Sequence, residues 1–127
     1  MDKPDQKRAT CLAVGSILLG APVSRYEGEV AMRLEFLADS CARPAYPFAV
    51  VDPPTASAVV DPAAPVTIDL RSSVRAVVND LLSGVAASAI AARFHATVGA
   101  MADEMIALAT PSFGRLPVVL TGGCFQN

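Results

Sequence analysis

Near its end the chain carries a long helical pattern, a short loop, a brief apolar run and then two adjacent glycines. That order limits the possible folds more than any other feature. Ile90, Phe94, Val98, Met101, Met105 and Leu108 recur at helical spacing, which predicts a helix from about Ala86 to Ala109 with these residues on its buried side. Thr110-Pro111 is expected to stop it, because proline cannot donate the next helical hydrogen bond. A loop through Gly114 leads to Pro117-Val118-Val119-Leu120, which reads as a buried strand. A long helix returning into a buried strand is an α/β arrangement and not a helical bundle. Gly122-Gly123 follows, and adjacent glycines let the main chain turn sharply and bring its N–H groups close to a phosphate or another ligand. The sequence stops at Asn127, where a helix would be expected to begin. We therefore expect part of a larger protein, or a shortened relative of one, with exposed apolar surface and self-association, for example by exchange of elements between chains.

The 127 residues suit one domain or a large piece of one. Hydrophobic residues make up 53% and aromatics 6%, which fits a packed helical or α/β domain and argues against disorder. A net charge of −2 gives no electrostatic case for nucleic acid. The longest apolar stretch, Cys11 to Val23, is broken by Gly15, Ser16 and Gly20, is too short to span a bilayer and is not framed as a signal peptide, so no membrane partner is expected. Cys11, Cys41 and Cys124 form no CxxC pair, and His95 is the only histidine, so no zinc site is expected from this chain alone. The cysteines read as small buried hydrophobes in a reducing cytoplasm.

Residues 1–8 are charged and expected to fray. Residues 9–20 read as an apolar helix ending at Gly20, with Pro22 beyond it. A second helix starts near Gly28. Val30, Ala31, Leu34, Leu37 and Ala38 share one face, Glu29 and Arg33 can pair on the other, and Glu27 and Glu29 lie in the first turn, where the helix dipole favours negative charge. Residues 43–68 hold six of the ten prolines (Pro44, Pro47, Pro53, Pro54, Pro62, Pro65). Within them Val50-Val51-Asp52-Pro53 echoes Val59-Val60-Asp61-Pro62, as in a short hairpin with Asp-Pro turns or a surface excursion. Asp69, Ser72 or Ser73 can cap a third helix whose stripe is Val74, Val77, Val78, Leu81 and Leu82 and whose end is Gly84.

Few residues carry chemistry in their local pattern. Gly122, Gly123 and Asn127 could face a nucleotide, the glycines admitting a phosphate or sugar and the Asn amide bonding a hydroxyl. An ordinary tight turn is the simpler reading. Tyr26-Glu27-Gly28-Glu29 opens a helix, and its glutamates would repel an anion but could accept from a ribose or an amine; dipole complementarity alone also accounts for them. His95 is either a proton carrier or a structural histidine. No nucleophile–base pair stands out.

Several segments together resemble one family. Leu-Leu-Gly (18–20), Tyr-Glu-Gly-Glu-Val-Ala-Met-Arg-Leu-Glu (26–35), Tyr-Pro-Phe (46–48), Ile-Asp-Leu (68–70), Ile-Ala-Ala-Arg-Phe-His-Ala-Thr (90–97) and Val-Val-Leu-Thr-Gly-Gly-Cys-Phe-Gln-Asn (118–127) occur in this order in the hydrogenase-maturation carbamoyltransferases, the HypF family. The resemblance covers roughly residues 9–127. It implies a partial actin-like ATPase (ribonuclease H-like) domain, mostly helical here, of the sugar-kinase/actin/heat-shock ATPase superfamily.

The resemblance also implies an activity. The complete family enzyme makes carbamoyl-adenylate from carbamoyl phosphate and ATP, and passes the carbamoyl group to the C-terminal cysteine of a partner protein, where it becomes a cyanide ligand of the [NiFe]-hydrogenase iron. Matching positions give nucleotide-facing roles to Gly28, Gly122, Gly123 and Asn127. The departures bear on activity. Ala13 stands where the family has a ribose-binding Asp, and the family's metal-binding histidines and Gly-Asp-Gly-Gly aspartate have no counterpart in this sequence. This chain alone is therefore expected to be inactive, with a non-catalytic remnant or a nucleotide-binding or interaction module as the alternative. An O-carbamoyltransferase or tRNA-modifying relative is disfavoured by the Arg-Phe-His and Gly-Gly-Cys-Phe-Gln-Asn segments.

Overall fold

The computed structural model describes residues 14–15, 20, 25–26, 28–51 and 66–121, with Ser112 described by its backbone alone. Three helices and a two-stranded sheet make up the described part: α1 (Glu29–Leu37), β1 (Ala49–Val51), β2 (Thr67–Asp69), α2 (Arg71–Leu82) and α3 (Ala87–Phe113). The architecture is mixed α/β, with α3 packing on both α1 and α2. No helix among the described residues is long and apolar enough to cross a membrane.

Helix α1 begins where the sequence places it. Gly28 is at φ 84° and ψ −8°, a left-handed conformation that side-chain-bearing residues rarely adopt, and the helix follows at once. Val30 and Leu34 are buried, while Leu37 and Ala38 pack at the edge of the core. Ala31 was expected on the same face but is exposed, because it lies at the rim of the narrow arc that the core covers. Phe36, on the opposite side, is 87% exposed. Of the helix expected over 9–20, only Val14 and Gly15 are described, and both are helical. Val14 is fully buried, and a Cβ on Gly15 would overlap Val30 Cγ1, so only glycine permits this approach.

Strands β1 and β2 pair antiparallel, with Ala49 opposite Asp69, Val50 opposite Ile68 and Val51 opposite Thr67. The Val-Val-Asp-Pro echo read as a short hairpin or a surface excursion; Val50-Val51 pairs with the run just before α2, and Val59-Val60 lie outside the described residues. The reason is upstream. The hydroxyls of Ser72 and Ser73 both donate to the Pro47 carbonyl, at 2.8 and 2.7 Å, and so bring residue 47 to the start of α2. The chain leaving Pro47 then runs beside the chain entering α2. The Asp-Pro turns at 52–53 and 61–62 lie outside the described residues.

At the start of α2 the Asp69 carboxylate accepts the Arg71 N–H at 2.9 Å and holds the Arg71 guanidinium at 2.6 Å. It thus satisfies a donor that the first turn leaves open. At the other end, Gly84 N–H bonds Leu81 O at 3.1 Å and Val85 N–H bonds Asp80 O at 3.0 Å, the two bonds of a Schellman motif, as Gly84 suggested. The buried face matches the expected stripe only at its centre, with Val77 buried and Val74 and Val78 half-buried. Ser73 and Val77 are buried and Ala76 packs against the core, but Leu81 and Leu82 are 38% and 81% exposed. The helix is rolled so that Ser73 turns to Pro47 and Asp80 to Arg93 of α3, while Leu82 faces outward.

Helix α3 exceeds its expected end, running through Thr110-Pro111 to Phe113 and closing at Gly114. Proline there removes the N–H that would bond the Ala107 carbonyl, but Ala107 is exposed, so water can take that acceptor. Ile90, Phe94 and Met101 are buried as expected, and Val98 packs beside them; Met105 is 36% exposed. Val14, Leu34, Tyr46, Val77, Ile90, Ala91 and Phe94 form the core, so it sits against the first half of α3. Burying one such large side chain stabilises the fold by about 1.5–3 kcal/mol.

The expected buried strand at the end is not there. Residues 116–121 form no strand among the described residues, and Val118, Val119 and Leu120 are 55%, 78% and 56% exposed. A strand needs a neighbouring strand for its N–H and C=O groups. The one described sheet, β1–β2, takes no third strand, so apolar composition alone does not bury this run.

Candidate functional site

The Gly28 turn is the part of the expected nucleotide-facing site that the structure describes. Its left-handed φ places the first-turn amides of α1 after a bend at Arg25-Tyr26. A Cβ on Gly28 would meet nothing within 4 Å, so the glycine is required by backbone conformation and not by crowding. The first-turn carboxylate is already engaged. Glu29 is 8% exposed, and its Oε2 accepts the Arg25 N–H at 2.6 Å while Oε1 lies 3.8 Å from Arg33 Nη1. Its reach back to Arg25 caps the preceding turn, and its charge complements the helix N-terminus. Gly122, Gly123 and Asn127 lie outside the described residues.

A second constellation is built from residues far apart in the chain. Tyr46 Oη donates to Asp80 Oδ2 at 2.7 Å, and Arg93 Nη1 reaches the same oxygen at 2.6 Å. The Arg93 guanidinium also lies over the Tyr46 ring, 4.0 Å from its centre, and its Nε donates to the Pro44 carbonyl at 3.2 Å. The Tyr46 N–H donates to Thr97 Oγ1 at 2.8 Å, and that hydroxyl donates to the Arg93 carbonyl at 2.7 Å. Burial first, and then the hydrogen bond to Asp80, push the Tyr46 phenol well above its usual range, so it stays a neutral donor. Asp80 is shared between a cation and a hydroxyl, and among the described residues no buried side-chain polar atom lacks a partner. A network closed in this way holds shape; it offers no free base. Together with the two serine bonds to Pro47 it clamps residues 44–47 across α2 and α3.

The remaining candidates are placed plainly. His95 is exposed, with Nδ1 2.9 Å from the Ala91 carbonyl one turn back, and it takes no part in the network. Cys41 corrects the expectation of buried cysteines: it is an exposed free thiol, in a bend where its N–H donates to Asp39 Oδ1 at 3.2 Å. The Arg43 guanidinium bonded to Asp39 holds that carboxylate below its usual pKa. Cys11 and Cys124 lie outside the described residues. Among the described residues, no three His, Cys, Asp or Glu side chains converge to hold a metal ion. Past α3, Ile106, Thr110 and Phe113 with Leu116 and Val118 line an open, mainly apolar groove.

Sequence reasoning missed the Tyr46–Asp80–Arg93–Thr97 network. Its members share no period, and Asp80 on a helix of otherwise ordinary pattern gives little sign that its carboxylate turns inward. The one available signal was that Tyr46 and the 90–97 segment both belong to the stretches that resemble the carbamoyltransferases.

The family model for the carbamoyltransferase Kae1-like domain, second subdomain, matches residues 12–127. The chain belongs to this HypF-type carbamoyltransferase family. No curated protein and no solved structure matches it. Several of the segments that mark the HypF-type family now have a physical role. Tyr46-Pro47, the Ile68-Asp69-Leu70 run and Arg93 to Thr97 meet at the clamp or at the strand pair beside it. Much of what makes the carbamoyltransferase pattern recognisable here therefore holds the fold together.

Proposed function

We propose that this chain serves as part of a carbamoyltransferase that moves a carbamoyl group from carbamoyl-adenylate, made from carbamoyl phosphate and ATP, to the C-terminal cysteine of a partner protein during [NiFe]-hydrogenase maturation. The family match across residues 12–127 carries the reading. In the transfer the partner's thiolate attacks the carbamoyl carbon. The bond from that carbon to the adenylate phosphate oxygen breaks, and AMP leaves with the electron pair. The proposed reaction rests on holding adenylate and thiolate in line. Gly28, with its left-handed turn, and Gly122, Gly123 and Asn127 are the residues proposed to face the nucleotide. The proposed setting is an actin-like ATPase domain in the cytoplasm. The family's metal ion finds no ligand set among the described residues, and no step is assigned to it.

The second reading is a non-catalytic remnant or interaction module that keeps the fold, favoured by Ala13 at the family's aspartate position. Calorimetric titration of ATP with Mg²⁺ into the purified chain separates the two. Binding that Asn127→Ala weakens supports a nucleotide site assembled from the Gly28 and Gly122 segments. A folded sample that gives no binding heat of either sign with ATP overturns that site and favours the remnant.

A further inference from the structure

No further inference is drawn: the strongest candidate, the apolar groove between the last turns of α3 and residues 114–118, is an unpartnered surface, and nothing in the structure shows what covers it.

Discussion

The two halves of α3 have similar apolar content and opposite surroundings. From Ala89 to Met101 the helix is inserted between α1 and α2, with Ile90 and Ala91 fully buried. Beyond Met101 the same kind of sequence meets water: Met105 is 36% exposed and Phe113 53%. The helical pattern is continuous across both halves. Among the described residues, the covering elements stop partway. Periodicity therefore reports the side a helix can bury, and packing partners decide how much of that side is buried.

Truncation in each half tests this contrast most strongly. Phe94→Ala should destabilise the chain by about 3–5 kcal/mol in a denaturant titration, because it leaves a cavity where three elements meet. Met105→Ala should cost less than about 1 kcal/mol. Equal losses at the two positions would show that the second half is covered in solution.

The clamp is expected to come next. Asp80→Ala leaves the Tyr46 hydroxyl and the Arg93 guanidinium without their shared acceptor, which should cost about 2 kcal/mol. Thr97→Val should cost about 1 kcal/mol by stripping the acceptor from the Tyr46 N–H. A double-mutant cycle between Asp80→Ala and Arg93→Met should show coupling of more than about 0.5 kcal/mol. Additive effects would dissolve the network into independent surface pairs.

The exposed end should respond in association and not in stability. We expect the purified chain to self-associate at micromolar concentration through Leu116 to Leu120. Val119→Lys with Leu120→Lys should shift light scattering toward monomer while changing the unfolding free energy by less than about 0.5 kcal/mol. A monomeric parent chain would refute the association.

Acid titration gives the smallest expected signal. The bonds that Asp69 accepts from the Arg71 side chain, and then from its backbone, depress its carboxyl from 3.8 to about 2. A depressed folded-state pKa contributes stability that is present above the unfolded value and lost as pH falls from about 3.8 toward 2. The Asp69 side-chain NMR signal should therefore titrate near 2, and Arg71→Gln should move the midpoint back up toward 3.8. A midpoint near 3.8 in the parent chain would show that the pair does not form in solution.

Helix positions were the most legible feature. Gly28 before α1 and Gly84 after α2 marked boundaries that the backbone keeps, because left-handed turns and Schellman bonds depend on local residues. Faces were read less well. Leu82 looked like core and is exposed, while Ser73 looked like a cap and is buried against Pro47. Hydropathy ranks side chains by cost of exposure, but a hydroxyl with a carbonyl partner is buried at little cost. Of the candidate site, Gly28 stands where the sequence put it, at the head of a helix. Its glutamate neighbour Glu29 turned out to be committed to the Arg25 amide.

The sequence by itself determined the family, the α/β character, the start of α1, the end of α2 and the existence of a long helix near the end. These follow from local backbone preference and from ordered motifs, both of which are written along the chain. Only the tertiary structure decided that Val50 pairs with Ile68, that Arg93 and Thr97, and not His95, join the polar network, and that Val118 to Leu120 form no strand among the described residues. Each of those outcomes depends on a partner more than a few turns away in sequence, or on the lack of one among the described residues. Such a partner contributes its hydrogen bond, charge or covering surface only once the chain has folded.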